Sequence, residues 1–129
     1  MPQLITKQIN VNDHPLSDGA LAELPGLGAS ILTGSGWIFT TIGVPITMNA
    51  AGSAAIEMVL AVDGAIAHPD SSAYFKTNMS QYQMIRLIIS HAARIGAGQH
   101  ILQVFANTSE PGPFVVGYSA HMQIHELGF

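Results

Sequence analysis

The clearest signal along the chain is a period of two. Leu4, Thr6, Gln8 and Asn10 alternate with Ile5, Lys7, Ile9 and Val11, which predicts a short strand with one apolar face. Asn12 to Ser30 then changes character. It holds Pro15, Pro25 and three glycines, and it predicts a connector with at most a helical turn over Asp18 to Leu24. From Ile31 onward the chain reads as strands and tight turns. Trp37 to Thr41 is aromatic and β-branched, Gly43 and Pro45 interrupt it, and Ile46 to Met48 resumes it, which suits an edge strand with a bulge. After a turn at Asn49 to Ser53, Ile56, Met58, Leu60 and Val62 alternate with Glu57, Val59, Ala61 and Asp63. That run ends at Asp63-Gly64, one of the strongest short hairpin signals.

Gln83 to Ile95 satisfies two periods. A helix would put Met84, Leu87, Ile88, His91, Ala92 and Ile95 on one face, whereas a strand over Gln83 to His91 would turn Ile85, Leu87 and Ile89 inward. β-branched crowding and the surrounding strands favour the strand, and the helix stays open as the alternative. Ile95 to Gly98 reads as a turn, Ile101 to Phe105 as a strand, and Asn107 to Pro113 as another loop. The last predicted strand is long, with Phe114, Val116, Tyr118, Ala120, Met122 and Ile124 forming its apolar side. These elements divide the chain into an N-terminal arm and connector (1–30) and an all-β body, a jelly-roll β-sandwich (31–129).

Composition sharpens the picture through charge. Only 4 Lys and Arg and 8 Asp and Glu occur in 129 residues, 9% charged where a soluble domain carries roughly 25%. A compact chain of 13.6 kDa exposes about 6,600 Å², so its charges stand at roughly one per 550 Å². Either Ser, Thr, Asn and Gln coat the exterior or sister chains shield part of it, and the second is favoured because the cores of subunit interfaces are depleted of charge. Lys7, Lys76, Arg86 and Arg94 form no basic stripe, which excludes a phosphate-tracking surface and with it nucleic acid as a partner. The absence of cysteine excludes disulfides, thiolate metal sites and thiol nucleophiles. The N-terminus lacks a secretory pattern and no run reaches the length of a membrane helix, so a soluble, unprocessed product without membrane insertion is expected.

Candidate chemistry is sparse. His121 and His125 on one strand lie about 13 Å apart, too far to share an ion within a chain, although a symmetry axis could gather copies of either. Asp63 and Asp70 sit in turn sequences, and Glu57 and Glu126 belong to no catalytic pattern. Gly34-Ser35-Gly36 lacks the nucleophile-elbow pattern, and no Gly-Lys-Ser/Thr follows the glycines at 26, 28, 34 and 36. No catalytic residue, metal site or cofactor is expected. Phe39, Phe105, Phe114 and Tyr118 read as core, whereas Trp37, Tyr74 and Tyr82 fall at strand ends or loops. With Asp70 and Asn78, those three are the candidates for ligand or partner contact.

The stretch Arg94 to Val104, a turn carrying Ala97-Gly98-Gln99-His100 and then an alternating strand, is followed by a loop and a last strand ending Met122-Gln123-Ile124-His125-Glu126-Leu127. Together with Trp37 to Met48 and Ile56 to Asp63, it resembles TNF/C1q-like jelly rolls of bacteriophage and bacterial proteins over about residues 31–127. The resemblance implies a homotrimer packed around a threefold axis, used in capsid decoration or in tail and fibre parts. In lectin-like members it implies sugar binding between subunits. It supplies no catalytic residues. The expected function is thus a non-enzymatic structural protein, located in a virion if the chain is phage-derived and partnered by other structural proteins; a carbohydrate-binding module is the alternative. Leu4, Ile5, Ile9 and Val11 would form an arm that adds to a neighbour's sheet. On that reading, deleting Met1 to Asn12 leaves the domain folded.

Overall fold

The computed structural model describes residues 4–9, 13–48 and 52–127. Ten strands account for most of them, and no α-helix occurs among the described residues. In chain order they are β1 (Leu4–Gln8), β2 (Asp13–Pro15), β3 (Ala22–Glu23), β4 (Ala29–Met48), β5 (Ser53–Val62), β6 (Ala65–Ile66), β7 (Tyr74–Ser80), β8 (Met84–Thr108), β9 (Pro113–Val116) and β10 (His121–Leu127). A single 3₁₀ turn, Gly117–Ser119, separates the last two.

Two long strands make the spine. β4 and β8 pair antiparallel from Ala29↔Leu102 to Thr47↔Met84. At one end of this ribbon, β10 pairs with β4 over Trp37 to Gly43 and β1 pairs with β10, giving the order β1-β10-β4-β8. At the other end β8 runs on past Leu102 to pair with β5, which carries β7 and β6. Ile38, Ile42, Val44 and Ile46 of β4, Leu87 and Ile89 of β8, and Met122 and Ile124 of β10 share one buried cluster with Ile56, Met58 and Leu60 of β5 and with Val104 and Ala106. A curled ribbon whose two ends sandwich one core is a jelly roll, as the alternation in the sequence leads one to expect.

The curl occurs at glycines. Gly34 pairs with Ala97 and Thr33 with Gly98, and across this corner the buried positions of β4 switch from odd (Ala29, Ile31, Thr33) to even (Ile38 onward). Gly98 takes φ +120°, a conformation that side chains resist. Thr33 Oγ1 donates to the Gly96 carbonyl at 2.7 Å and closes the bend. The Asp63-Gly64 hairpin is also realised, with φ +53° and +82°, both positive as a type I′ turn requires.

Several expectations need correction. The first 30 residues do not stand apart: β1 pairs with β10 of its own chain, and Ile9, Leu16, Leu24 and Leu27 lie in the core cluster, because the sandwich needs their apolar side chains to close it. Val11 lies outside the described residues, as do residues 49–51 of the turn predicted over Asn49 to Ser53. No helical turn forms over Asp18 to Leu24; Ala22 and Glu23 instead add to β8. Trp37 to Met48 is no edge strand but the centre of the sheet, and Pro45 is tolerated where the neighbour on one side changes from β10 to β9. Ile95 to Gly98 bends without turning back, so the strands predicted on either side of it are one 25-residue strand. The last predicted strand is two. The 3₁₀ turn shifts the alternation, so Val115 is buried in β9 while Ala120, Met122 and Ile124 are buried before and within β10. Finally, β7 was not legible as a strand, because Tyr74 to Ser80 mixes Lys, Thr, Asn and Ser with few apolar residues.

Candidate functional site

Among the described residues, one sheet face has no cover. Register places Trp37, Phe39, Thr41, Gly43 and Pro45 of β4 on the same side as Arg94, Ala92, Ser90, Ile88 and Arg86 of β8. The same pairing adds His121, Gln123, His125 and Leu127 of β10 and Leu4, Thr6 and Gln8 of β1. This side turns away from the core, and its large apolar groups remain open: Leu4 65%, Ile88 53%, Trp37 42% and Phe39 39% exposed. Period-two alternation would ordinarily put polar residues here. The face is also asymmetric in charge. It holds two of the chain's four fixed cations and two of its six histidines, and none of its eight carboxylates.

At one end of the face, Arg86 Nη2 donates to His121 Nδ1 at 3.0 Å. Both groups lie over Gly43, where a Cβ would come within 2.6 Å of Arg86 Nη2 and 2.6 Å of His121 Cε1. The glycine is there for the room it leaves. His125 lies on the same side, opposite Phe39 and Leu4. His121 and His125 are thus the two predicted histidines that share a face, and among the described members of the predicted arm Leu4 is the one whose side chain is exposed there.

A second cluster lies at the ribbon corner. His100 donates from Nδ1 to Asp63 Oδ2 at 2.6 Å and from Nε2 to the Gly96 carbonyl at 2.8 Å, while Asp63 Oδ1 accepts the Ile101 N–H at 2.9 Å. Both ring nitrogens face acceptors, an arrangement that favours the protonated imidazole. The hydrogen bond to Asp63, and after it the Gly96 carbonyl, lift His100 above the usual histidine range. His100 and the Ile101 amide hold Asp63 below the usual carboxylate range. The sequence showed Ala97-Gly98-Gln99-His100 as a turn motif but gave no sign of this partner, 37 positions away.

The residues singled out for ligand contact do not converge. Trp37 sits opposite Arg94 and Leu127 on the open face. Tyr74 lies on β7, where its hydroxyl donates to Glu57 Oε2; partial burial, and then that carboxylate, push the phenol up to about 12. Asn78 stands opposite Ala55, farther along β7. Asp70 is a loop residue 3.5 Å from His68 Nδ1. Tyr82, at φ +59° and 72% exposed, forms the β7–β8 turn, at the end of the ribbon away from Trp37. A shallow groove of about 450 Å³ opens between Asp13, Leu16, Asp18, Pro111 and Phe114. Among the described residues, no three His, Asp or Glu side chains are placed to hold a metal.

Comparison with known proteins bears on the fold. No family model and no curated protein matches the sequence. Among solved structures, the chain is similar to the Eiger TNF of S. frugiperda over 97% of its own length and 92% of that chain, with TM-score 0.57 and 12% identity. It is similar to murine APRIL over 98% and 100%, with TM-score 0.55 and 13% identity. A third likeness, at TM-score 0.50 and 17% identity, is to the C-terminal domain of EclA, a sugar-binding protein, over 96% of this chain and 78% of that one. The fold is a TNF-like jelly roll.

Proposed function

We propose that the chain is a non-enzymatic binding and assembly module that associates with copies of itself, as a trimer, through the outer face of the β1-β10-β4-β8 sheet. The observation that carries this reading is the open row of Leu4, Trp37, Phe39 and Ile88 in a chain with so few charges to coat it. Its total surface, 6602 Å², is ordinary for its mass; the shortage is of charge, not of area. The exposed parts of those four side chains come to about 400 Å², and shielding them is worth roughly 10 kcal/mol at 25 cal/mol per Å². That is of the same order as the 4–15 kcal/mol that association costs, so polar anchors must share the work. The trimeric number follows the resemblance to TNF/C1q-like proteins.

Light scattering or native mass spectrometry tests it. A concentration-stable oligomer is expected for the wild type, and Trp37→Ser with Ile88→Asn should shift it toward monomer, weakening each contact by about 2–4 kcal/mol. A wild type that stays monomeric at high concentration removes the reading. The larger assembly we propose is a virion, with the trimer as a capsid-decoration or tail- or fibre-associated part. Recovery of the chain in sedimenting particles, and not in the soluble fraction alone, is the outcome that supports it.

A carbohydrate-binding module is the second reading, favoured by the exposed indole of Trp37 beside Arg94 and Leu127, and by the likeness to a sugar-binding domain. It predicts a glycan ligand whose binding Trp37→Ala abolishes. A glycan array without a binder removes it.

A further inference from the structure

The Arg86–His121 pair has an unusual composition: a cation bonded to an imidazole, with no acid attached. A guanidinium only donates hydrogen bonds, so His121 Nδ1 must accept and its proton sits on Nε2. What the pair offers outward is therefore donors alone, the remaining guanidinium N–H groups and the imidazole N–H, on a positive centre. Among the described residues neither Arg86 nor Arg94 has a carboxylate within 4.0 Å; the two ion pairs found are His68–Asp70 and His100–Asp63. Packing over Gly43 holds the two side chains down against the backbone, so the donors are placed before any ligand arrives.

We propose that Arg86 and His121 form an oxyanion site on the outer sheet face, and that the group it takes is a carboxylate of a neighbouring copy of this chain. The proposal rests on the reading of that face as the self-association surface. If the face is covered by a sister chain, two arginines per copy leave water, and an uncompensated buried charge is strongly destabilising. Among the described residues the face contains no acid to neutralise them. All eight carboxylates lie elsewhere on the chain, so a neighbour that presents a different part of its surface supplies the counter-charge. A neighbour that presents the same face sets cation against cation. A charge-assisted Arg–carboxylate contact would then be the polar anchor that the apolar row by itself does not supply.

The variants separate charge from position. Arg86→Gln removes the cation, and Gly43→Ala keeps both groups but drives them off the backbone. Each should weaken association about 10- to 100-fold in dissociation constant while the melting of the isolated subunit stays near wild type. Arg86→Lys provides a direct reading: a zero-length carbodiimide should join the new amine to an Asp or Glu of a second chain, mapped by mass spectrometry. A link between chains at position 86, together with the weakened variants, supports the site. An oligomer unchanged by Arg86→Gln and Gly43→Ala, with no inter-chain link, overturns it and leaves the assembly reading standing if Trp37→Ser with Ile88→Asn still dissociates the oligomer. Binding of inorganic phosphate at Arg86 with no effect on assembly overturns the sister-chain carboxylate as its ligand. A monomeric wild type overturns both.

Discussion

At the scale of single residues, two sites give clean tests of the structure. Thr40 is 1% exposed, and its Oγ1 is buried with no hydrogen-bond partner among the described residues. Thr40→Val keeps the shape and removes the orphaned hydroxyl, so thermal melting should rise by an amount equivalent to about 1 kcal/mol. The His100–Asp63 pair gives a pH signature. His100 is raised in the folded chain, so its contribution is whole below its ordinary value of 6.5 and fades as pH climbs through the raised one. Asp63 is lowered, so its contribution is whole above 3.8 and fades as pH falls through the lowered value. The pair therefore supports the fold most between those two ordinary values. Asp63→Asn tolerates the positive φ of the turn but loses the charge, and differential scanning should show a smaller loss of melting temperature from about pH 5.5 to about pH 8.5 than in the wild type. Asp63 is a turn residue, as its place before Gly64 predicts; its second role depends on His100, which reaches it through the fold.

At the scale of elements, the alternation of apolar and polar residues identified strands well and their limits poorly. Ile85, Leu87 and Ile89 point inward or partly inward as the strand reading required, and Asp63-Gly64 makes its hairpin. The glycine corner misleads because Gly96 and Gly98 look like a turn that reverses the chain, yet the same conformational freedom allows a paired ribbon to bend with its ladder intact. Gly98 tests this. A Cβ there meets nothing within 4 Å, so Gly98→Ala isolates the cost of φ +120° and should destabilise by about 1–3 kcal/mol in denaturant melts. The 3₁₀ turn at Gly117–Ser119 misled in the other way, since it passes through an unbroken alternation and reverses which face is buried on one side of it.

At the scale of the whole molecule, the N-terminal segment belongs to the sandwich. Ile9 is 1% exposed and β1 covers the edge of β10. Deleting Met1 to Asn12 should therefore lower the melting temperature, since burial of one such isoleucine is worth about 1.5–3 kcal/mol, and should bare a strand edge prone to aggregate. This outcome is the opposite of a detachable arm. The open sheet face is likewise a property of the assembled fold. Trp37, Ile88 and His121 are far apart in sequence, and only the pairing of β4, β8 and β10 sets them on one face with the acids elsewhere.

The sequence by itself determined that the chain is all-β, that one hairpin turns at Asp63-Gly64, and that its charge is sparse. These follow from side-chain periodicity, positive-φ preference and composition, which are local or additive. Only the tertiary structure decided that β4 and β8 are continuous, that β1 closes the sheet, and that Arg86 meets His121 over Gly43. Each of these depends on contacts between residues distant in the chain, and such contacts are fixed by how strands register around a common core.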